Sequence, residues 1–206
     1  EAASSLGSHV IILLMAAFML SKGLERANLH KRFAIYMLRL TGSGSPLKLV
    51  LGFMLTTAVL SMWISNTATV LMMLPMAIAI INAVDNPRFG VALILGIAYS
   101  ASLGGVGTPI GTPPNIIFMS VYEETQGIEY SFIDWMKTGV PIVILGVPIM
   151  ALWLARGIKE VGHIDLPVPS TWSRAEKRVL AIFGTVALAW IFRPFWTAWI
   201  GVSTIS

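Results

Sequence analysis

Ser61, Ser65, Asn66 and Thr67 lie inside a stretch, Leu49 to Val84, that contains no Asp, Glu, Lys or Arg. A second polar interruption, GGVGTPIGTPPN from Gly104 to Asn115, lies inside the uncharged run Phe89 to Tyr122. Hydroxyls, an Asn amide oxygen and backbone carbonyls are ligands for hard monovalent cations, and they serve without a fixed negative charge. In the first interruption Ser61 stands four residues before Ser65, so a continuous helix would stack both hydroxyls on one face beneath a tip carrying Asn66 and Thr67. In the second, Gly104, Gly105, Gly107 and Gly111 are conformationally permissive, while Pro109, Pro113 and Pro114 remove donors and fix φ, so regular helix is interrupted there. The carbonyls freed between Gly104 and Thr112 are candidates to face a cation. A helix starting after Asn66 also presents orphan N–H groups and the positive end of its dipole, which suits an anion. Cations on carbonyls and an anion on helix N-termini together describe ion-coupled anion transport.

Blander roles exist for each element. Ser and Thr in membrane helices commonly bond their own backbone or a neighbouring helix, and Gly-Pro clusters serve as kinks or packing sites. Met72, Met73 and Met76 read as lipid-facing or core packing, and Trp135, Trp196 and Trp199 as interface anchors. His9, His30 and His163 are scattered and propose no metal site. Enzyme chemistry lacks its players: Gly107 and Gly111 form GxxxG with no lysine following as a phosphate loop requires, GxSxG does not occur, and no two carboxylates share an apolar segment. With no cysteine there is no disulfide framework, thiolate metal site or Cys nucleophile.

The surroundings are those of a membrane protein. Of the 206 residues 56% are hydrophobic and 12% charged, against about 25% charged in a soluble domain, and the mean hydropathy is +0.79. Uncharged runs at Ala2–Ser21, Leu49–Val84, Phe89–Tyr122, Thr138–Ala155 and Val179–Phe192 approach or exceed the ~20 residues a spanning helix needs. Strand alternation is not visible, so the spans are helical. The first run has no basic region ahead of it and no clear cleavage site, and reads as a membrane segment, not a signal peptide. The net charge of +4 comes from basic residues beside the spans, where they set orientation, and no nucleic-acid motif accompanies them.

Those charges order the spans. Lys22, Arg26, Lys31, Arg32, Arg39 and Lys48 against Glu25 place the segment after the first span inside, and Arg156, Lys159, Arg174, Lys177 and Arg178 do the same for 156–178. Glu123, Glu124, Glu129 and Asp134 against Lys137 place 123–137 outside. The two long runs between Lys48 and Glu123 must then cross an odd number of times. The first divides at Ser-Asn-Thr into arms of about 16 residues, roughly 24 Å each and short of the ~30 Å apolar layer. A re-entrant helical hairpin fits, and two complete spans with an exposed turn preserve parity equally. The second run crosses once as a helix that breaks and restarts, with Pro113 and Pro114 in the first turn of its second half. Spans at 138–155 and about 176–193 follow. NLHKRFAIYMLRLTG reads as an interfacial or connecting helix, and VGHIDLPVPSTWSRAEKR as an inside connector, with Ser173 capping a helix whose third residue on is Glu176.

SNTAT preceded by SMWI, and GTPIGTPPN about 40 residues later, resemble the divalent anion/sodium symporters, the dicarboxylate, citrate and sulfate carriers of the ion-transporter superfamily. The resemblance runs along essentially the whole chain and implies an all-α membrane protein built from two inverted repeats, each with a re-entrant hairpin and a discontinuous helix. It implies 1–48 as first span and scaffold helix, 49–84 as hairpin, 85–122 as broken helix, and 123–206 as two further spans with their connector. It further implies one sodium site from Ser61, Ser65, Asn66 and the Gly111 carbonyl, and substrate contacts from Ser65, Asn66, Thr67, Thr112 and Pro113. The expected activity is sodium-coupled symport of a di- or tricarboxylate across the plasma (inner) membrane by an elevator motion within a homodimer, with Na+ as the coupling ion. Efflux or exchange of other anions, a passive channel with a filter at Gly107–Gly111, and a non-transporting scaffold remain the alternatives. A single SNT and a single TPPN are found, so the first repeat alone is expected here, as a fragment of a longer chain.

Overall fold

The computed structural model describes residues 9–42, 44–84, 86–128, 130–158 and 171–200. Residues 1–8 of the first apolar run, Glu129, Lys159, His163, much of the connector and the final GVSTIS lie outside the described residues. Among the described residues every regular element is a helix. They are α1 (His9–Arg26), α2 (Leu29–Thr41), α3 (Pro46–Ser61), α4 (Asn66–Val84), α5 (Pro87–Gly104), α6 (Pro113–Gln126), α7 (Phe132–Leu154), α8 (Arg174–Ile191) and α9 (Arg193–Ile200).

Local chemistry accounts for the boundaries. Pro46 and Pro87 open α3 and α5, where a missing N–H costs nothing, behind the caps Ser45 and Asn86. The Asn86 side chain accepts from the N–H groups of Arg88 and Phe89 at 3.1 and 3.2 Å. Ser173 and Glu176 form the reciprocal capping box at the start of α8 that their spacing foretold. Gly127 ends α6 at φ 66, a left-handed conformation that glycine adopts without strain. The polar break of the second run is real: α5 stops at Gly104, α6 starts at Pro113 and Pro114, and 105–112 is non-helical.

Two sequence expectations shift. The first run breaks at Met62–Ser65, so Asn66 and Thr67 are the opening residues of α4 and the arms are unequal at 16 and 19 residues. The span expected at 138–155 begins earlier, at Phe132, because Ser131 caps it and places Asp134 in the first turn, where a carboxylate complements the helix dipole. By length and composition α4, α5 and α7 suffice to cross a membrane, and α3 is a shorter apolar helix.

The core forms where α3 packs against α5, with α2, α4 and α7 around this pair. Val50, Phe53 and Met54 of α3, Phe89, Leu93 and Ile97 of α5, Met73 of α4 and Val147 of α7 are fully enclosed. Met73 thus packs the core, with Met72 and Met76 at its edge. The outward faces of α4, α5 and α7 expose Leu71, Val91, Ile94, Ile144, Leu145 and Ile149, a continuous apolar exterior suited to lipid.

α2 is tied to the head of α8 ahead of its apolar run Val179–Phe192. The buried Arg32 guanidinium donates to both Glu176 carboxylate oxygens at 2.9 and 3.1 Å and to the Thr171 carbonyl at 3.2 Å. It also stacks 4.4 Å above the Trp172 ring, which lies against Tyr36. The Arg32 hydrogen bond, followed by that from the Ser173 N–H, holds the Glu176 carboxyl well below its usual range, at about 2. A lowered carboxyl pKa stabilises the fold above the unfolded value near 4.5, and that contribution drains away as pH falls from there toward 2. Arg32→Gln should therefore lower the melting temperature of the purified protein at pH 7. The deficit relative to wild type should shrink as the pH is lowered below about 4.5; a deficit constant with pH would remove the ion pair as its cause.

Candidate ion and anion site

The two polar breaks meet. The Ser61 hydroxyl, at the last turn of α3, has Asn66 Oδ1 at 2.6 Å and the Ala101 carbonyl oxygen of α5 at 2.7 Å. Thr108 in the loop between α5 and α6 donates to the Met62 carbonyl in the turn between α3 and α4. Three oxygens from three helices therefore crowd one hydroxyl proton. Turning the Asn66 amide over would put its NH2 toward Ser61 and satisfy the trio with protons; with its oxygen inward the trio is short of them, the condition in which a small cation is welcome.

Glycine makes the approach possible, through the absence of a Cβ and not through unusual backbone angles. None of Gly104, Gly105, Gly107 and Gly111 has a positive φ. A Cβ on Gly105 would stand 2.6 Å from Asn66 Oδ1, and one on Gly111 2.5 Å from the Gly105 carbonyl oxygen. The loop 105–112 thus lies on the Asn66 side chain and folds back on itself.

Several loop carbonyls proposed for a cation are already engaged. Asn115 Nδ2 donates to the carbonyls of Gly105 and Thr108 at 2.8 and 2.9 Å. Trp135 Nε1 donates to the Val106 carbonyl at 2.7 Å, so this tryptophan braces the loop from α7 where an interface anchor was expected. The Gly111 carbonyl is not among those claimed by these bonds. Asn115 and Ala101 carried no functional reading in the sequence, and Thr108 only that of one carbonyl among those from Gly104 to Thr112; the polarity of TPPN was the one signal that pointed toward Asn115.

Ser65 departs from expectation. Ser61 is buried as the last residue of α3, whereas Ser65 lies past the helix end and is exposed, its hydroxyl accepting from the Ala68 N–H at 3.4 Å. The expected stacking of both hydroxyls on one helical face fails because the helix stops between them. Ser65 is instead the cap of α4, with Asn66 half-buried and Thr67 exposed in the first turn. Thr112 occupies the corresponding place before α6, its side chain making no capping bond, and Pro113 follows it, exposed. The N-termini of α4 (19 residues) and α6 (14 residues) therefore open at the joined breaks, each with a positive dipole end. α4 also presents orphan N–H groups, whereas α6 opens on Pro113 and Pro114, which have none, and its Asn115 N–H donates to the Thr112 carbonyl at 3.1 Å.

The architecture defines a multi-pass integral membrane protein, all-α, with irregular backbone held inside by its own polar side chains. The chain belongs to the citrate transporter family (CitMHS), whose model matches residues 1–205. It is similar to the sodium-dependent dicarboxylate transporter SdcS of Staphylococcus aureus strain USA300, with 36% identity over 217 aligned residues covering 95% of this chain and 42% of that protein. SdcS of strain NCTC 8325 matches with the same identity and coverage. The chain spans 42% of the length of these curated relatives.

Proposed function

We propose that this chain carries half of the machinery for sodium-coupled symport of a di- or tricarboxylate. The observation that carries the reading is the convergence of the Ser61 hydroxyl, the Asn66 amide and the Ala101 carbonyl at the N-terminus of α4, where the two polar breaks meet. Sodium is held by Ser61, Asn66 and the Gly111 carbonyl, with Ser65 at the rim, and the Ala101 carbonyl joins them. A substrate carboxylate meets the N-terminal turns of α4 and α6 at Ser65, Asn66, Thr67, Thr112 and Pro113, its charge offset by the helix dipoles and the adjacent cation. No basic side chain is needed, and on this reading the anion binds only when sodium is present. That the similar SdcS is a sodium-dependent dicarboxylate transporter supports the substrate class.

In this proposal 49–84 is a re-entrant hairpin and 85–122 a broken helix, together the moving part, while 1–48 and the spans of 123–206 contribute scaffold and connection. An inverted second repeat completes the site, and the whole works as a homodimer in the plasma (inner) membrane by an elevator motion. The engagement of the Thr108 carbonyl, inside the Gly107–Gly111 segment a filter would use, with the Asn115 amide favours a carrier over a carbonyl-lined channel, since a filter needs that oxygen free. The test is uptake of radiolabelled succinate by the full-length protein in liposomes. An inward sodium gradient should drive accumulation and potassium should not; accumulation indifferent to the cation would end the symport reading.

A further inference from the structure

Where the start of α5 packs beside the end of α7, the two helices form a recess of about 500 Å³. Its lining is of two kinds. Val91, Leu95 and Leu154 give it an apolar wall, joined by the largely exposed Trp153 ring, while Arg88 of α5 and Arg156, just past the end of α7, give it positive charge. Among the described residues no acid lines it. Neither guanidinium has an ion pair or hydrogen bond there, whereas Lys22, Arg32 and Lys137 each hold a carboxylate, at 2.7, 2.9 and 2.6 Å.

Arginines at the ends of spans ordinarily do no more than set orientation. These two come from different helices to one cavity, and the backbone leaves recognition to them. Pro87 has no N–H, and the N–H groups of Arg88 and Phe89 are taken by Asn86 Oδ1 at 3.1 and 3.2 Å. A guanidinium matches a phosphate bidentately, and its stem lies along apolar surface while its head stays at the water boundary. Tryptophan favours the same headgroup level. The basic excess that places 156–178 inside also places this recess at the inner surface, where anionic lipids set the surface potential.

We propose that the recess binds an anionic phospholipid, its phosphate between Arg88 and Arg156 and its acyl chains along Val91, Leu95 and Leu154. A soluble phosphate would satisfy the arginines and leave the apolar wall uncovered; the lipid uses both, and a recess of this size admits a headgroup with the first methylenes of its chains. The bound lipid joins α5 to α7, and the proposal stands whatever substrate the chain serves.

The experiment measures retention of radiolabelled phosphatidylglycerol by the delipidated full-length protein in detergent, with phosphatidylcholine as the zwitterionic comparison. Wild type, Arg88→Gln, Arg156→Gln and the double variant are tested beside Arg39→Gln, an exposed arginine of α2 outside the recess. Wild type and Arg39→Gln should prefer phosphatidylglycerol. Each recess variant should raise the half-saturating lipid concentration about five-fold, and the double variant should lose the preference. Melting without added lipid should be the same in all of them, because neither recess guanidinium is engaged by the protein. A preference undiminished in the double variant, as when the rest of the full-length chain covers the recess, would overturn the proposal, and so would an equal loss in Arg39→Gln, which is a general charge effect. Displacement of the bound lipid by millimolar inorganic phosphate would overturn the lipid in favour of a soluble phosphate. A double variant less stable than wild type without lipid would also overturn it, since the arginines would then be holding acids of the protein, of which Asp85 and Glu160 are the nearest in sequence.

Discussion

Asn66→Ala in the full-length protein should abolish sodium-driven succinate uptake while leaving the protein folded. The side chain sits at the meeting point of both breaks, with its oxygen 2.6 Å from the Ser61 hydroxyl and the face of Gly105 against it. Truncation removes one ligand of the proposed cation and empties the space beside Gly105. A hydrogen bond to a charged group contributes about 1.5–3 kcal/mol, which corresponds to roughly 10- to 150-fold in sodium affinity. Any shared contact with the carboxylate adds to this. Asn66→Asp separates the two roles: it retains an oxygen and adds charge, so sodium binding should persist or strengthen while the anion, repelled, is lost. Sodium binding is followed by the sodium-induced rise in melting temperature, and transport by labelled succinate. Asn66→Ala with wild-type uptake would remove the α4 tip from the site.

Gly104→Ala should be the most destabilising glycine-to-alanine change among the described residues. Its Cβ would stand 2.4 Å from the Ala58 carbonyl oxygen, 2.6 Å from Ala58 Cα and 2.8 Å from the Ala58 carbonyl carbon. These are backbone atoms of α3 and have no rotamer to change, so α3 and α5 must move apart along the interface that forms the core. Overpacking of this kind costs about 3 kcal/mol, the upper part of the usual range. Separation would also pull the Ala101 carbonyl from Ser61, so sodium dependence should weaken in whatever protein remains folded. Gly184→Ala in α8 is the control: nothing lies within 4 Å of its Cβ, and helix propensity alone predicts a gain of up to ~1 kcal/mol. Melting temperature in detergent and the yield of monodisperse protein report both variants; equal stability of Gly104→Ala and wild type would mean that the two helices are not in backbone contact there.

Much of this protein is readable without coordinates, for reasons of solvent. A backbone in lipid must satisfy its own hydrogen bonds, so uncharged runs become helices and any polar break among them is conspicuous; the triplet at Ser65, the GTPPN segment and the capping box at Ser173 and Glu176 follow from the residues alone. The relation between the breaks does not. That Ser61 bonds across to α5 while Ser65 merely caps α4 depends on a helix ending between them. That Asn115 and Trp135 consume the carbonyls of the second break depends on α6 and α7 folding back over it. Local sequence determined where the chain must leave the helix, because Gly, Pro and unbroken apolarity act through nearest neighbours. Only the tertiary structure decided which oxygens were left for an ion, because that is settled by what the side chains of other helices have already taken.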